Sequence, residues 1–405
     1  MKTFYLIFTL LLLLFACKEQ NVEFKSSDFE KIEFGNGLPY HFSAFILDTI
    51  HQFPNYKAAW EFSNIGDIVQ TQKMWDLDNY PKQELDSINF KYFKSYSRVD
   101  ALEYILDKAR DSRVLIINEA HHKPQHRVFT TLLLPRLREL GYRHIGFEAL
   151  SRNFSMDSIT EINRFPTFKQ GFYIREPQFG NLLRTAFENN YRVFPYESVS
   201  VRTSREREIN QAKNIQEYIE KYPDDKFVIH CGFDHAYEGE MGGSWEKAMA
   251  GRLTEFTGID PLTIDQVRYS ECSERKFENP FYQVTDNMFP SVYVNENDKV
   301  FMDLKGESRC DIAVFHPRSK QFIRPQWLTY GDRKEVKMSF LEADIECPCL
   351  VFAYKEGEEI DVAVPYDIQE TLDKKVTLIL DTSAFEIVIW NDANQALKTT
   401  FRRSN

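Results

Sequence analysis

Acidic and imidazole side chains follow four short apolar segments of the sequence. In chain order they are Glu119, His121 and His122 after Val114–Ile117, Glu148 after His144–Phe147, Glu197 after Tyr191–Pro195, and His230, Asp234 and His235 at the end of Phe227–His230. The carboxyl ends of parallel strands share one edge of a sheet, and ligands of open α/β sheets bind there. We therefore expect these groups to converge on one crevice. Carboxylates and imidazoles that lie close together shift one another's pKa values, which suits general acid–base catalysis.

The elements that must position these groups alternate between residues 113 and 267. A fifth apolar run, Leu262–Val267, completes the series, and amphipathic helical segments lie near 124–140, 179–189, 204–221 and 244–257. Runs that are apolar at consecutive positions and separated by helices predict a parallel sheet covered by helices on both faces. We interpret residues 36–278 as an α/β domain that carries the catalytic-like groups and begins with a helical segment.

The rest of the chain, residues 279–405, has a different rhythm. Seven strand-like segments follow one another without a helix between them: Val300–Leu304, Cys310–Phe315, Glu335–Phe340, Cys349–Tyr354, Glu359–Val364, Lys375–Asp381 and Phe385–Trp390. This spacing is typical of a β-sandwich of Ig-like size. We expect an accessory domain here, and two domains also suit a chain of 405 residues.

The N-terminus has the features of a bacterial lipoprotein signal peptide. Lys2 precedes the apolar run Phe4–Phe15, which is too short to span a bilayer comfortably, and Ala16 precedes Cys17 as in a lipobox. We predict a signal peptide over residues 1–16, lipidation of Cys17 and a polar tether over residues 17–35. The protein is then expected in a bacterial cell envelope, anchored by lipid to a membrane, and we favour the outer membrane.

Charge and cysteine content exclude several other classes of protein. A net charge of −11 argues against nucleic-acid binding, which requires a basic face. With Cys17 lipidated, five cysteines remain, and a disulfide from Cys310 to Cys347 or Cys349 is permitted in an exported protein. A second cysteine pair at zinc-ligand spacing is missing from the sequence, which argues against a structural zinc. The sequence also has no G-x-S-x-G segment, so we do not expect a serine nucleophile.

Four segments resemble, in their order, the superfamily of erythromycin esterases, ChaN-like haem-binding lipoproteins and Tiki/TraB proteases. They are NEAHHKPQHRVF, GFEAL, REINQAKNI and GFDHAYE, within about residues 98–267. The matched motif positions are Glu119 and His122, Glu148, Arg207 with Asn214 and Ile215, and His235. The chain departs from the pattern at Asn118, where the family has Gly, at Gln211, usually Met, and at Gly232, where the esterases have the first of two His.

The first functional hypothesis is hydrolysis of an ester, lactone or amide in a small molecule or peptide. His122 or His235 would activate water, held by Glu119 or Glu148. Arg207 or Arg127 would stabilise the oxyanion or bind an acidic part of the substrate. The substrate-binding groups expected beside them are Arg127, His121, Glu197, His230 and Asp234.

Two alternatives remain open on the sequence. Glu119, His122, Glu148 and His235 have the ligand types for a divalent metal, and the protease branch of the resemblance implies metal dependence. The haem-binding branch implies a surface lipoprotein without turnover. For haem, the candidate axial ligands are His121, His126 and Tyr237.

Overall fold

The structure, a computed structural model, describes residues 20–34, 37–52, 54–156, 164–198, 201–302, 309–320 and 323–403; the predicted signal peptide and Cys17 lie outside these ranges. The described helices are α1 (Ser43–Thr49), α2 (Asn55–Asn64), α3 (Ile68–Asp76), α4 (Ser87–Phe93), α5 (Ala101–Ala109), α6 (Pro124–Glu139), α7 (Pro177–Glu188), α8 (Ser204–Lys221), α9 (Met249–Thr257) and α10 (Pro280–Gln283). Within the described ranges, no helix has both the length and the apolar character that crossing a bilayer requires.

The described strands are β1 (Gln20–Glu23), β2 (Glu30–Ile32), β3 (Ser97–Asp100), β4 (Val114–Glu119), β5 (Tyr142–Phe147), β6 (Arg192–Pro195), β7 (Lys226–Gly232), β8 (Leu262–Tyr269), β9 (Ser291–Val294), β10 (Ile312–Phe315), β11 (Lys334–Ser339), β12 (Cys349–Lys355), β13 (Asp367–Thr371), β14 (Lys375–Leu380), β15 (Ala384–Asn391) and β16 (Ala396–Arg402). They form one eight-stranded sheet and two smaller sheets.

The eight-stranded sheet has the order β3-β9-β10-β8-β4-β7-β5-β6. The six strands from β10 to β6 run parallel, and β9 is antiparallel to both of its neighbours. Every residue of β4 is buried. Leu115 and Ile117 pack in one hydrophobic core, and Val114 and Ile116 pack in another. Because successive side chains of a strand point to opposite faces, a strand that is apolar throughout needs cover on both sides.

Helices provide that cover. Side chains of α5, α6 and α7 share the core with Leu115, whereas those of α8 and α9 share the core with Val114. Helix α8 begins after Thr203, whose Oγ1 accepts the backbone N–H of Glu206 as an N-cap. The predicted α/β architecture is therefore confirmed, with the addition that the sheet is mixed at one edge.

The two smaller sheets form a second unit, which we call the β unit. The five-stranded sheet has the order β13-β12-β15-β16-β2 and is antiparallel, and the three-stranded sheet has the order β1-β11-β14. Val336 and Leu378 of the smaller sheet pack in one core with Val351 and Ile387 of the larger sheet. The predicted C-terminal all-β region is thus present as two sheets that share a core.

The unit boundaries differ from the predicted domain boundaries at residues 17–35 and 278/279. The described part of the expected tether contributes β1 and β2 to the β unit, and β9 and β10 extend the central sheet through β8. Of the predicted strand Val300–Leu304, residues 303 and 304 lie outside the described ranges, and Val300 forms an isolated bridge. In the predicted strand Glu359–Val364, Ala363 likewise forms an isolated bridge. The pairing of such short segments is decided by side-chain packing against neighbouring strands, which local sequence pattern does not record.

The β unit contacts the segment that leads into α7. The backbone N–H of Phe168 donates to the carbonyl of Val362 at 3.1 Å, and that of Val364 donates to Pro166 at 2.9 Å. Val364 also packs against Gly180, where a Cβ would lie 2.7 Å from Val364 Cγ1. The β unit therefore contacts residues 166–168 and helix α7.

Candidate active site

A cleft of about 1010 Å³ opens beside the carboxyl ends of β4, β5, β6 and β7. Its lining consists of His121, Glu148, Ala149, Leu150, Ser151, Arg152, Phe168, Lys169, Gly171, Phe172, Tyr173, Glu197, Arg207, Phe233, Asp234, His235 and Trp245. Six of the ten residues expected from the sequence line the cleft: His121, Glu148, Glu197, Arg207, Asp234 and His235. The other four, Glu119, His122, Arg127 and His230, are buried and lie outside its lining.

Glu148 follows β5 and is held from two sides. Its Oε2 accepts the backbone N–H of Gly232 at 2.6 Å, and its Oε1 accepts Nη2–H of Arg207 at 2.5 Å. Burial alone would raise the pKa of the Glu148 carboxyl, but His235, His121, Arg207 and the Gly232 N–H lower it to about 2. Glu148 is therefore a carboxylate at neutral pH, with its charge directed at the cleft.

His235 lies in the 3-10 turn Phe233–Ala236 that follows β7. Its Nδ1 is 2.7 Å from Oε2 of Glu208, and its Nε2 is 2.9 Å from Nη1 of Arg207 and 3.5 Å from Oε1 of Glu148. An arginine nitrogen can only donate, so Nε2 accepts and Nδ1–H donates to Glu208. The imidazole ring stacks on Trp245 with centroids 4.8 Å apart.

The electrostatics of His235 favour proton uptake. Burial lowers its pKa, but Glu148 and Glu208 together outweigh burial and raise the pKa above the ordinary value of 6.5. The imidazole is thus a base whose positive form has two carboxylate neighbours. Such an imidazole can take a proton from a cleft ligand and keep its orientation through Glu208.

Arg207 projects from the first turn of α8 and is surrounded by acceptors. Its Nε donates to both oxygens of Glu197 at 3.2 and 3.1 Å, and its Nη2 donates to Glu197 as well as to Glu148. Gln211 Nε2 donates to the same Glu197 carboxylate at 3.1 Å. Burial would lower the pKa of Arg207, but Glu197 and Glu148 raise it, so the guanidinium is a fixed positive charge.

His121 forms the opposite side of the cleft floor. Its ring stacks on Tyr173 at 4.1 Å, and its Nδ1 lies 3.1 Å from Oε1 of Glu119. A Cβ on Gly232 would lie 2.3 Å from Cε1 of His121. Gly232 stands where the esterase pattern has a histidine, and in this chain the space beside it is filled by the His121 ring.

Phe233 joins the two halves of the floor in a strained conformation. Its φ angle of 42° lies in the left-handed region, which a bulky residue rarely adopts. Its carbonyl accepts Nδ2–H of Asn118 at 2.8 Å, and its ring packs edge-on to His121. Strain of this kind persists only where surrounding contacts impose it, and it is often found at functional sites.

Beneath the floor, Glu119, Arg127 and Glu176 form a buried ionic network. Arg127 donates through Nε and Nη2 to the two oxygens of Glu119 at 2.6 and 2.7 Å, and through Nη1 to Glu176 at 2.8 Å. Burial would raise the pKa of Glu119, but Arg127 and His121 lower it well below its usual range. The Glu176 carboxylate also caps α7 by accepting from Gln178 and Phe179. Glu119 and Arg127, expected at the site, therefore bind one another below the cleft and do not line it.

His122 and His230 also differ from expectation. The His122 ring stacks on Trp75 with centroids 3.7 Å apart and does not line the cleft. His230 packs between Phe147 and Phe179, 3.5 Å from Glu119. Burial lowers the pKa of His122, and burial lowers that of His230 to about 4, so both rings are neutral at pH 7. Neither is placed to act on a cleft ligand.

The residues proposed as ligands of a metal or of haem are not gathered in one place. In the part of the chain that the structure describes, no three His, Cys, Asp or Glu side chains are grouped so as to hold a metal ion. The Glu119 carboxylate is already engaged by Arg127, which leaves the expected four-ligand set incomplete. Of the haem-ligand candidates, only His121 lines the cleft, whereas His126 and Tyr237 are buried. Among the described residues the metal-ligand candidates therefore form no cluster, and His121 is the haem-ligand candidate that the cleft exposes.

The residues that sequence reasoning missed include Tyr173 and Trp245, which line the cleft, and Glu208, which is buried behind His235. A signal existed for Glu208, because it lies one and two helical turns before Ala212 and Ile215, on the apolar face of α8. A carboxylate on a buried helical face needs a partner, which in this structure is His235. Tyr173 and Trp245 reach the cleft from segments without a motif.

Comparisons with known proteins give structural matches alone. No protein-family model and no curated protein matches the chain. The type III effector HopBA1 shares 10% identity over 55% of this chain and 96% of its own, with a TM-score of 0.36. RRSP, a MARTX toxin effector domain from Vibrio vulnificus, shares 13% identity over 64% of this chain and 50% of its own, with a TM-score of 0.28. The C-terminal region of Pasteurella multocida toxin, described as having a thiol-protease-like catalytic triad, shares 12% identity over 85% of this chain and 50% of its own, with a TM-score of 0.29.

Proposed function

We propose that the protein is a hydrolase in which His235 activates a water molecule for attack on an ester, lactone or amide carbonyl. The observation that carries this proposal is the contact series from Glu208 to His235 and on to Glu148 and Arg207 at the cleft floor. An imidazole held by a buried carboxylate at one nitrogen and directed to a cleft by the other has the geometry of a general base. Such a base contributes about 10²–10⁴-fold to a rate.

The reaction begins when water replaces Arg207 as the partner of His235 Nε2. The water proton moves to Nε2, and the water oxygen forms a bond to the carbonyl carbon while the carbonyl π electrons move to its oxygen. The imidazolium then has Glu208 on Nδ1–H and Glu148 beside Nε2–H. Collapse of the tetrahedral intermediate expels the leaving group, which takes the proton back from Nε2.

Arg207 changes partners in the same cycle. Nη1–H of Arg207 is released from Nε2 when water takes its place, and a protonated Nε2 cannot accept it again, so Nη1–H can donate to the oxyanion. Its remaining donors stay bound to Glu197 and Glu148, which hold the guanidinium in place. A donor that is already oriented when charge develops stabilises the transition state without further reorganisation.

Water suits this cleft better than a thiol nucleophile. No cysteine is among the described residues that line it. Cys231, at the end of β7, is buried, its Sγ contacts the carbonyl of Ile117, and burial raises the pKa of its thiol. A buried, protonated thiol is a weak nucleophile.

The cleft walls favour a substrate with an apolar body and an anionic group. Phe172 and Tyr173 provide aromatic surface on one wall. Arg152 and Lys169 are exposed cations of the lining, and neither forms an ion pair within the described residues. The charge of Arg207 is already balanced by Glu148 and Glu197. The anionic group of the substrate is therefore expected to bind Arg152 and Lys169.

A pair of aryl esters tests both statements on the purified full chain. The neutral ester is p-nitrophenyl butyrate and the anionic one is p-nitrophenyl hemisuccinate, measured with and without EDTA beside lactone and peptide panels. His235→Ala should lower kcat/KM by about 10²–10⁴-fold. Arg207→Ala should lower it too, whereas Arg205→Ala, two residues away in the same helix and paired with Glu246, should leave it unchanged.

Charge selectivity is read from the KM values. Lys169→Gln and Arg152→Gln should raise KM for the hemisuccinate more than for the butyrate. Equal effects on the two esters would remove the anionic-substrate assignment alone. Absence of turnover across all panels, or unchanged kcat/KM in the His235 variant, would overturn the hydrolase itself.

The resemblance to the erythromycin esterase, ChaN-like and Tiki/TraB superfamily stands as part of this proposal. It is supported by the position of its motif residues Glu148, Arg207 and His235, which lie far apart in the chain and meet at one cleft. Glu119 of the first motif lies below them and contacts His121. Membership of this superfamily would imply that the hydrolase is built on the central sheet and that the β unit is an addition to it. We also propose that the β unit has an Ig-like fold.

Lipid anchoring at Cys17 is proposed with the same function. Strand β1 begins at Gln20, so an anchor at Cys17 would hold the β unit close to the membrane of the cell envelope. Metabolic labelling with palmitate should mark the wild-type chain. A Cys17→Ser variant should lose the label and leave the membrane fraction; a labelled variant would contradict the assignment.

A further inference from the structure

The β unit contains two cysteines whose sulfur atoms lie together. Sγ of Cys347 is 3.7 Å from Sγ of Cys349. Cys349 is the first residue of β12, and Cys347 lies two residues before it. Cys347 is partly exposed and Cys349 is buried. We propose that Cys347 and Cys349 form a redox-active dithiol that is oxidised to a disulfide by exchange with a low-molecular-weight disulfide.

The surroundings give the two sulfurs different roles. Cys349 Sγ lies 3.2 Å from the carbonyl of Glu346, and the same carbonyl accepts Nδ2–H of Asn391, which fixes the turn before β12. Burial raises the pKa of the Cys349 thiol, with the neighbouring Cys347 adding to the effect. Cys347 is therefore the sulfur that meets the oxidant, and Cys349 is the resolving sulfur.

The exchange is balanced in two steps. The Cys347 thiolate attacks one sulfur of oxidised glutathione, forming a mixed disulfide and releasing one glutathione thiolate. The released glutathione thiolate takes the proton of the Cys349 thiol, and the Cys349 sulfur, 3.7 Å away, then attacks Sγ of Cys347, forming the internal disulfide and releasing the second glutathione. The protein loses two electrons and two protons, and one oxidised glutathione becomes two reduced molecules.

The other described cysteines are arranged differently. Cys231 and Cys310 are buried, and each places its sulfur 3.7 Å from a backbone carbonyl. Cys310 lies beside Ala236 of the central-sheet unit, so the disulfide from Cys310 to Cys347 or Cys349 that the sequence permitted is not formed here. Cys272 is partly buried, which makes it an internal reference for solvent reaction.

The test is thiol mapping of the full chain after incubation with oxidised glutathione. Peptide mass spectrometry should find residues 347 and 349 joined, with the peptide lighter by two hydrogens and both positions protected from alkylation until a reductant is added. Cys349→Ser should stop at the mixed disulfide on Cys347, because the resolving sulfur is missing. Cys272→Ser is the matched control and should form the internal disulfide as the wild type does.

Two results would overturn the proposal. In the first, wild-type Cys347 and Cys349 both remain open to alkylation after the incubation. In the second, wild-type Cys347 accumulates the same glutathione adduct as the Cys349→Ser variant. Because both readings come from the wild-type chain, they hold even where a serine variant folds poorly.

Discussion

Oε2 of Glu208 lies 2.7 Å from Nδ1 of His235 and 2.9 Å from the backbone nitrogen of Met249. Glu208 has no exposed surface, so water does not compete for this carboxylate. The contact fixes the imidazole tautomer and leaves Nε2 as the nitrogen that faces Arg207 and the cleft. The catalytic proposal rests on this pair, because a base whose tautomer is reversed would present a donor where an acceptor is required.

Removing the charge of Glu208 should therefore impair turnover. In Glu208→Gln the amide oxygen still accepts from Nδ1, but the carboxylate no longer stabilises the imidazolium. We expect kcat/KM to fall by at least about 10²-fold, at the lower end of what a general base contributes. Glu206→Gln is the matched control, because Glu206 lies in the same turn but bonds to the backbone of Arg202 at the surface. A folded Glu208 variant with wild-type kcat/KM would contradict the assigned role.

The pH dependence of turnover should reveal the carboxylates around His235. Glu148 and Glu208 raise the pKa of His235 above 6.5, so kcat/KM should rise with pH and reach its midpoint above that value. Glu148→Gln removes the largest of the raising charges, and the midpoint should move to lower pH. The measurement is a kcat/KM profile of both proteins, which reports the ionisation of the free enzyme. A midpoint that stays in place or moves upward would exclude His235 as the titrating base.

The buried network beneath the cleft should be structural. Removing one partner of a buried ion pair leaves an uncompensated charge and costs about 3–5 kcal/mol. Arg127→Leu leaves the carboxylates of Glu119 and Glu176 buried without their partner. We expect the free energy of unfolding, measured with urea, to fall by about 3–5 kcal/mol. Arg136→Ala in the same helix breaks the exposed pair with Glu103 and should leave the free energy of unfolding nearly unchanged.

Acid should weaken the same network in the wild type. The folded pKa of Glu119 lies below its unfolded value, so this carboxylate stabilises the fold fully above the unfolded pKa and loses that contribution as pH falls through the folded one. Stability curves of wild type and Arg127→Leu should therefore converge as pH falls through the acid range. A parallel displacement of the two curves would mean that Arg127 does not act through Glu119.

The sequence predicted the central sheet and six of the residues that line the cleft, because both depend on the order of elements along the chain. Apolar runs specify buried strands, and polar groups that follow several parallel strands must share an edge, which placed Glu148, Glu197 and His235 correctly at one cleft. The direction in which each side chain points was harder to predict from the sequence. His121 faces the cleft and the next residue, His122, stacks on Trp75, because a single step along the chain turns the side chain away.

Contacts between distant segments account for the remaining differences. Nothing near Trp75 or Tyr173 in the sequence indicates that these rings pack on His122 and His121. The pairing of β10 with β8 is likewise decided by tertiary packing. The short apolar segment Ile312–Phe315 would by itself fit a β-sandwich as well as the central sheet. Which strand such a segment pairs with depends on the surfaces that remain uncovered after the larger elements have packed.

The β unit should be an integral part of the fold, because it shares a buried ion pair with α7. Arg184 donates through Nε and Nη2 to the two oxygens of Glu358 at 2.7 and 2.6 Å, and both side chains are buried. Asn181 of the same helix donates to the carbonyl of Tyr366 at 2.8 Å. Helix α7 begins at the Glu176 cap and follows the wall that contains Tyr173, so the β unit stabilises the cleft from behind.

Arg184→Met should therefore lower the free energy of unfolding by about 3–5 kcal/mol, because Glu358 is left buried without its partner. Adding Glu358→Met should recover part of the loss, since an apolar pair can replace a buried ion pair at little net cost. The control is Arg402→Met, which breaks an exposed pair with Glu356 in the β unit and should cost about 0–1 kcal/mol. Urea unfolding of the full chain should show one transition in each protein. Two separate transitions, or an Arg184 variant no less stable than the control, would show that the β unit is only appended to the cleft-bearing sheet.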